Sequence, residues 1–314
     1  MTVLTRLPSR PLAWSKVVAA IGIFDGVHKG HQAILRLAAR RAREIRGTAT
    51  AVTFYPHPAT VLAPHRVPPP LLPLEHRIRL LWDCGISKVL VIPFTRSFSR
   101  WPAEKFVEEL LVGRLKVREV VVGHDFGFGR GRSGNVGTLR RIGRKTGFKV
   151  HVVAPVRVGR QRISSQRIRE LIMAGRLEKA ASWLGRPAGV TGRVVRGRGR
   201  GTGLGFPTAN LQVESGVLPP AGVYAVSGEL SGGVTFPGMA NLGYRPTFKE
   251  KRNAGGREDR MLEAHFFGLR RRLYGQHLTL YFFKRLRPER RFSSPAALQK
   301  QLLKDAVRAK AALQ

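Results

Sequence analysis

The sequence predicts an α/β domain followed by an all-β domain, and three observations predict it. Between residues 17 and 160 short apolar runs alternate with helical periodicity, the signature of βαβ units around a mainly parallel sheet. That alternation stops at Gly185-Arg186-Pro187-Ala188-Gly189, a cluster of breakers. Beyond it apolar runs follow one another without long helices, joined by Gly- and Pro-rich connections, as in a small antiparallel barrel. The expected domains are residues 1–185 and 186–314, and the chain of 314 residues is long enough for two cores.

Taken in order, Val17–Phe24 reads as a buried strand and Gly30–Ile45 as a helix with Ile34, Leu35 and Ala38 on one face. Ala49–Phe54 is a strand ended by Pro56 and Pro58. Leu74–Cys84 is a helix, Val89–Phe94 a strand, and Pro102–Leu111 a helix with Pro at its start. Glu119–Val122 and Lys149–Pro155 are strands separated by helix Gly137–Gly147, and helices Ser164–Ala174 and Leu177–Leu184 complete the domain. After the break the expected strands are Val190–Val195, Gly222–Leu230, Val234–Ala240, Met261–Phe267 and Gln276–Phe283. Pro295–Leu313 reads as an amphipathic helix with Leu298, Leu302, Leu303 and Val307 on its inner face.

Composition narrows the function classes. The apolar runs are too short to span a bilayer, and no apolar segment of signal-peptide length follows Arg6 and Arg10. The single cysteine, Cys84, cannot form an internal disulfide, which fits a reducing compartment and a cytoplasmic protein. Lys and Arg number 56 against 19 Asp and Glu, a net charge of +37. Such a field attracts polyanions, so weak non-specific nucleic-acid binding is expected; spread along the chain, the basic residues also fit a general surface coat. A monomer or weak oligomer, with no membrane partner, is expected.

Two stretches carry chemistry. His28 and His31 lie where a strand ends and a helix begins, and a helix N-terminus with its unpaired N–H groups favours phosphate. Gly30 between them permits close backbone approach. Both imidazoles can stabilise charge building on one phosphate; incidental surface histidines remain the alternative, and a zinc pair lacks a further ligand at suitable spacing. Ser164 or Ser165 can cap the later helix, with Arg169 a turn inside, forming a clamp for distal phosphates. In the second half Gly197, Gly199, Gly201, Gly203 and Gly205 alternate, a loop able to turn its backbone N–H groups onto phosphates. No Walker motif follows, and an RGG-like RNA-binding reading competes. Thr208 and Asn210, two apart in an extended segment, offer neutral oxygens suited to Mg²⁺. Glu263 sits in a strand where Leu262, Ala264 and Phe266 share the opposite face; it faces a cavity or partner as a base, or lies exposed on the outer barrel face.

Ile23–Gln32, Thr53–Pro58 and Val121–Gly129 resemble the adenylyltransferase half of the bacterial bifunctional riboflavin kinase/FAD synthetase family. Gly201–Asn210, Leu218–Tyr224, Ala240–Phe248, Leu262–His265, Leu273–Gly275 and Arg287–Phe292 resemble its riboflavin kinase module. The resemblance covers nearly the whole chain in the right order. It implies a Rossmann-like nucleotidyltransferase domain and a six-stranded Greek-key barrel with a terminal helix. It implies riboflavin, FMN and FAD as substrates and products, with ATP as co-substrate and Mg²⁺. By carry-over His28 and His31 assist attack of the FMN phosphate on the ATP α-phosphate. Gly22, Phe24, Asp25, Gly30 and Asp125 line that nucleotide site, and Ser164, Ser165 and Arg169 hold the departing pyrophosphate. Glu263 becomes the base for the riboflavin 5′-hydroxyl, Thr208 and Asn210 bind Mg·ATP, and Gly197, Gly199, Gly201 and Gly203 belong to the loop over its phosphates. The sequence departs at Gln166, where the family usually has Thr.

Overall fold

The computed structural model describes residues 1–197, 200–230, 233–244, 260–269, 271 and 273–314. They divide into two compact units, Met1–Pro68 with Leu74–Ser164, and Pro69–Pro73 with Ser165–Gln314.

The first unit is built on six parallel-paired strands: β1 (Thr2–Leu4), β2 (Val17–Ile21), β3 (Thr48–Tyr55), β4 (Lys88–Pro93), β5 (Val117–Gly123) and β6 (Lys149–Val153), in spatial order β1-β4-β3-β2-β5-β6. A short hairpin, β7 (Arg157–Val158) and β8 (Gln161–Arg162), follows. Helices α1 (Lys29–Glu44), α2 (Pro58–Leu62), α3 (Leu74–Asp83), α4 (Arg96–Ser99), α5 (Ala103–Lys105) and α6 (Val136–Thr146) connect the strands. β2 reads Val-Val-Ala-Ala-Ile and is buried throughout, because both faces of a doubly covered parallel sheet are core. Val18 and Ala20 pack with Ile34, Leu35 and Ala38 of α1 and Ile78 and Leu81 of α3. Val17, Ala19 and Ile21 pack with Phe106, Leu110, Leu139 and Ile142 on the other face.

The strand order matters for function. From β2 the chain moves through β3 and β4 to one side, then returns to place β5 and β6 on the other. The switch point is thus the β2/β5 pair, and ligands of open α/β sheets bind outside the carboxyl ends of the strands there. At its C-terminal end α1 is anchored: Arg41 makes two 2.8 Å hydrogen bonds to the buried Glu119 of β5, and His151 of β6 lies 2.7 Å from the same carboxylate. The Arg41 hydrogen bond holds the Glu119 carboxyl below its ordinary pKa range, against the opposing effect of burial. This anchor fixes the direction in which the N-terminus of α1 points.

The second unit is a closed antiparallel barrel in the order β10-β13-β12-β11-β14-β9. Its strands are β9 (Ala188–Val195), β10 (Ala209–Gly216), β11 (Gly222–Leu230), β12 (Thr235–Tyr244), β13 (Arg260–Phe266) and β14 (His277–Arg287). Closure leaves no free sheet edge. Helices α7 (Ser165–Met173) and α8 (Leu177–Leu184) pack together, and α8 contacts β9 and β14. Thus Ser165–Leu184, read from sequence as the end of the first domain, falls by contacts in the barrel unit. A short turn α9 (Arg200–Gly203) precedes β10, and α10 (Pro295–Leu313) lies against β11, β12 and β14.

Several expectations need correction. Leu303 and Val307 are not on the inner face of α10; they are 57 % and 69 % exposed. The buried positions are Gln301, Asp305 and Ala309. Burial follows the ion pair that Asp305 makes with Arg287 of β14, which rotates the helix away from the face hydrophobicity alone selects. Strand β2 ends at Ile21, and Phe24 already has φ of 52°. The helix expected over Pro102–Leu111 is the short α5 followed by a π-helical stretch, Phe106–Arg114. The sequence shows only an extended Pro207–Asn210 segment where the structure has β10, because the polar residues of Ala209–Gly216 mask the alternation.

Candidate active sites

The first candidate site is assembled by the turn between β2 and α1. Phe24 and Val27 both have positive φ, 52° and 39°, which is costly for an aromatic and a β-branched residue. Both are fully buried, so packing holds the turn in that shape. The turn delivers His28 as the N-cap of α1, its Nδ1 accepting from the His31 backbone N–H at 3.2 Å. With that lone pair engaged, a neutral His28 carries its proton on Nε2. The His28 and His31 rings stack at 3.6 Å, and Phe24 meets His31 edge-on at 5.4 Å. Burial drives the His31 pKa well below its ordinary value, with His28 and Arg77 adding to the shift. His31 is therefore a neutral hydrogen-bonding group at pH 7.

The neighbouring positions are crowded. A Cβ on Gly30 would come within 3.1 Å of the His28 ring, and one on Gly22 within 3.0 Å of Phe24. Asp25 is 4 % exposed. Asp125 follows β5, next to β2 at the switch point; its Oδ1 lies 3.3 Å from where a Gly123 Cβ would stand, beside Ile34 of α1. Burial opposes ionisation of Asp125, but Arg162 Nη2, 2.5 Å away, more than offsets it and holds the carboxyl below its usual range. Gly22, Phe24, Asp25, His28, Gly30, His31 and Asp125 thus gather around the carboxyl ends of β2 and β5. Ser164 closes the first unit, whereas Ser165 and Arg169 stand on α7 in the second. Arg169 is 4 % exposed and donates through Nε to the Pro69 carbonyl at 2.7 Å. Gln166 Nε2 turns along α7 to Glu170 Oε1 at 3.1 Å.

The second candidate site lies on the outer face of the barrel. Register places Glu263 of β13 directly between Asn210 of β10 and Asn241 of β12, so three polar side chains form one row across three strands. Leu262, Ala264 and Phe266 point the other way and are buried. Two residues along the same face, Met239 packs with Ala309, Leu302 and Ala306 of α10, so this face borders the terminal helix. Glu263 itself is half-buried. The glycine loop closes down on the row. A Cβ on Gly197 would stand 2.0 Å from the Asn210 amide nitrogen, and one on Gly201 2.2 Å from the Phe206 carbonyl and 3.4 Å from the Thr208 methyl. Only glycine permits so close an approach. Gly203 faces open space, and Gly199 lies outside the described residues. His265 fixes the strand entry: its Nδ1 is 2.9 Å from the Pro207 carbonyl, and its ring meets Phe206 edge-on.

Sequence reasoning misses Asn241, Arg162 and Arg77. Asn241 has a signal, since it lies in the Ala240–Phe248 stretch, but its place beside Glu263 depends on strand register. Glu289, in the Arg287–Phe292 stretch, sets its carboxylate over Gly243, where a Cβ would collide with it.

A helix N-terminus with stacked imidazoles at the switch point of a parallel sheet, and a glycine loop over an Asn/Glu/Asn row on a barrel, define a two-site nucleotide-using transferase. The comparisons agree. The FAD synthetase family model matches residues 11–167, and the riboflavin kinase model matches residues 184–313. The bifunctional riboflavin kinase/FMN adenylyltransferase of Escherichia coli is 37 % identical over 293 residues, covering 93 % of this chain and 91 % of that protein. The Bacillus subtilis protein of the same name is 35 % identical over 294 residues, covering 93 % and 90 %. A crystal structure named macrolide-efflux protein, from Streptococcus pneumoniae, matches 97 % of both chains at 29 % identity with a TM-score of 0.85. The chain belongs to the bifunctional riboflavin kinase/FMN adenylyltransferase family. Among the described residues, no helix is long and apolar enough to cross a membrane.

Proposed function

We propose that this chain phosphorylates riboflavin to FMN with ATP and then adenylylates FMN to FAD, releasing pyrophosphate, in the cytoplasm. The observation that supports the reading is the conjunction of two candidate sites in one chain: stacked His28 and His31 at the α1 N-terminus, and the Asn210–Glu263–Asn241 row under Gly197. We assign the enzymatic halves to residues 1–185 and 186–314.

In the kinase half the ribityl 5′-hydroxyl attacks the ATP γ-phosphate, its proton passes to Glu263, and ADP leaves. Gly197 and Gly201 bring backbone close to Asn210 and Thr208, which suits a phosphate cover. Thr208, Asn210 and Glu263 each carry a side-chain oxygen, and oxygen ligands suit Mg²⁺. When bound, Mg²⁺ would neutralise phosphate charge beside Thr208 and Asn210.

In the adenylyltransferase half an FMN phosphate oxygen attacks the ATP α-phosphorus, and the bond to the β,γ-diphosphate breaks. No covalent enzyme intermediate is required, since positioning and charge stabilisation carry this chemistry. The imidazoles of His28 and of the neutral His31 donate to oxygens that gain charge, and the α1 N-terminus adds its dipole. Ser164, Ser165 and Arg169 are assigned to the leaving pyrophosphate, and Asp125 with Gly22, Phe24, Asp25 and Gly30 to the nucleotide wall.

Chromatography of the products formed from riboflavin, ATP and Mg²⁺ tests the whole reading. FMN is expected first and FAD second. FMN alone would reduce the protein to a riboflavin kinase, and neither product would overturn the proposal.

A further inference from the structure

Among the described residues the mechanism leaves one buried cation unused. Arg77, on α3, is 4 % exposed, and a buried guanidinium requires a reason because desolvating it is expensive. Burial accordingly lowers its pKa, partly offset by the nearby Asp25. Its Nη1 donates to the Ile23 carbonyl at 2.8 Å and lies 3.4 Å from the Phe54 carbonyl. A second buried donor, Thr53 Oγ1, reaches the same Ile23 carbonyl at 3.0 Å. Two donors from different elements therefore converge on one carbonyl. That carbonyl immediately precedes Phe24, the first of the two residues with unfavourable positive φ in the turn that presents His28 and His31. Arg77 Nε has no hydrogen-bond partner among the described residues, so the side chain is placed for Nη1 at the cost of another donor.

We propose that Arg77 is a positioning residue for adenylyl transfer: with Thr53 it pins the Ile23 carbonyl, holds the strained Phe24–Val27 turn in place, and thereby aims the His28/His31 pair. The inference rests on the assignment of adenylyl transfer to that pair. A turn held against its backbone preference relaxes when its restraint is removed, and displacements well under 1 Å at a reacting phosphate slow the chemical step while substrate contacts elsewhere persist. The restraint therefore acts on kcat more than on KM.

The test is steady-state FAD formation from supplied FMN and ATP, using the full chain and four variants: Arg77→Met, Arg77→Lys, Thr53→Val and His31→Ala. Riboflavin phosphorylation by the same preparations and their thermal melts report folding. Arg77→Met is expected to lower kcat for FAD formation by roughly 10- to 100-fold, with KM for ATP and FMN within about 3-fold. Arg77→Lys, which keeps a donor and a charge able to reach the Ile23 carbonyl, is expected to recover most of that loss. Thr53→Val, nearly isosteric and neutral in charge, is expected to lower kcat by roughly 3- to 10-fold. If Arg77→Met does not fold, Thr53→Val carries the test. Wild-type kcat in folded Arg77→Met or Thr53→Val, a loss confined to KM, or a Lys variant as slow as Met overturns the proposal. His31→Ala separates the two levels. If it abolishes FAD formation while the Arg77 and Thr53 variants are unaffected, only the positioning role fails. If His31→Ala itself retains full activity, the site assignment fails.

Discussion

A carboxylate on the outside of a barrel is ordinarily a solubilising group, and Glu263 differs because of its neighbours. It stands between Asn210 and Asn241 on a face that α10 borders, half-withdrawn from water. A base needs a fixed direction as much as a suitable affinity for the proton, and the strand register fixes where Glu263 stands in the row. Glu263→Gln keeps the shape and removes the basicity. FMN formation should fall by about 10²–10⁴-fold, while FAD formation from supplied FMN persists; near-normal kinase activity in this variant removes Glu263 as the base. Gln166 is the other informative residue. Its amide is spent on Glu170, an exposed contact within α7, where threonine would offer a short hydroxyl with few rotamers. Gln166→Thr is expected to lower KM for ATP or raise the rate of FAD formation only, by about one hydrogen bond, roughly 0.5–1.5 kcal/mol. Steady-state kinetics of both reactions decide it, and a slower Thr variant would make Gln166 an adapted ligand.

At the scale of elements, what was legible in the sequence follows from what periodicity encodes. β2, β3 and β4 could be read because strands buried on both faces are continuous apolar runs, and α1 because Ile34, Leu35 and Ala38 repeat at helical spacing. His28, His31 and Glu263 could be singled out because the histidines stand where a strand gives way to a helix and the glutamate lies within a largely apolar strand. The rest depends on contacts that no local pattern holds. Register brings Asn241 to Glu263 across strands more than twenty positions apart in sequence, and Arg77 reaches Ile23 from a different helix. The orientation of α10 shows the same limit: Leu303 and Val307 satisfy the apolar stripe, yet Asp305 is fully buried. It accepts from Arg287 Nε at 2.9 Å and Nη2 at 2.8 Å, and from Gln301 Nε2 at 2.7 Å. A buried pair adds little net stability when intact but is expensive to break on one side. Asp305→Asn should therefore destabilise the barrel unit by about 3–5 kcal/mol, on the order of 10 °C in Tm, and loosen the helix beside Glu263. Calorimetry with a kinase assay checks this; an unchanged Tm would mean that α10 is held by its apolar contacts with Met239 and Ala225 alone.

At the scale of the molecule the dominant quantity is the charge of +37. ATP, FMN and FAD are anions, so the field that concentrates them also concentrates any other phosphate polymer. The basic residues are not confined to a tail: on α1 alone Arg36, Arg40 and Arg43 are exposed along one stripe, with Glu44 near Arg40 as partial compensation. Exposed arginines spaced along a helix contact backbone phosphates without reading bases, and each contact releases condensed counterions. Binding of this kind is sequence-independent and falls steeply with salt; between roughly 50 and 200 mM, six to ten phosphate contacts lose about 10³- to 10⁵-fold in affinity. Fluorescence anisotropy with unrelated single- and double-stranded oligonucleotides across that range is expected to give equal affinities at low salt that vanish together at high salt. A sequence preference surviving high salt would mean a dedicated nucleic-acid site in addition to the two enzymatic ones. No binding at low salt would mean that the charges are too dispersed to act on one polymer, and that the field serves only to draw small anionic substrates inward.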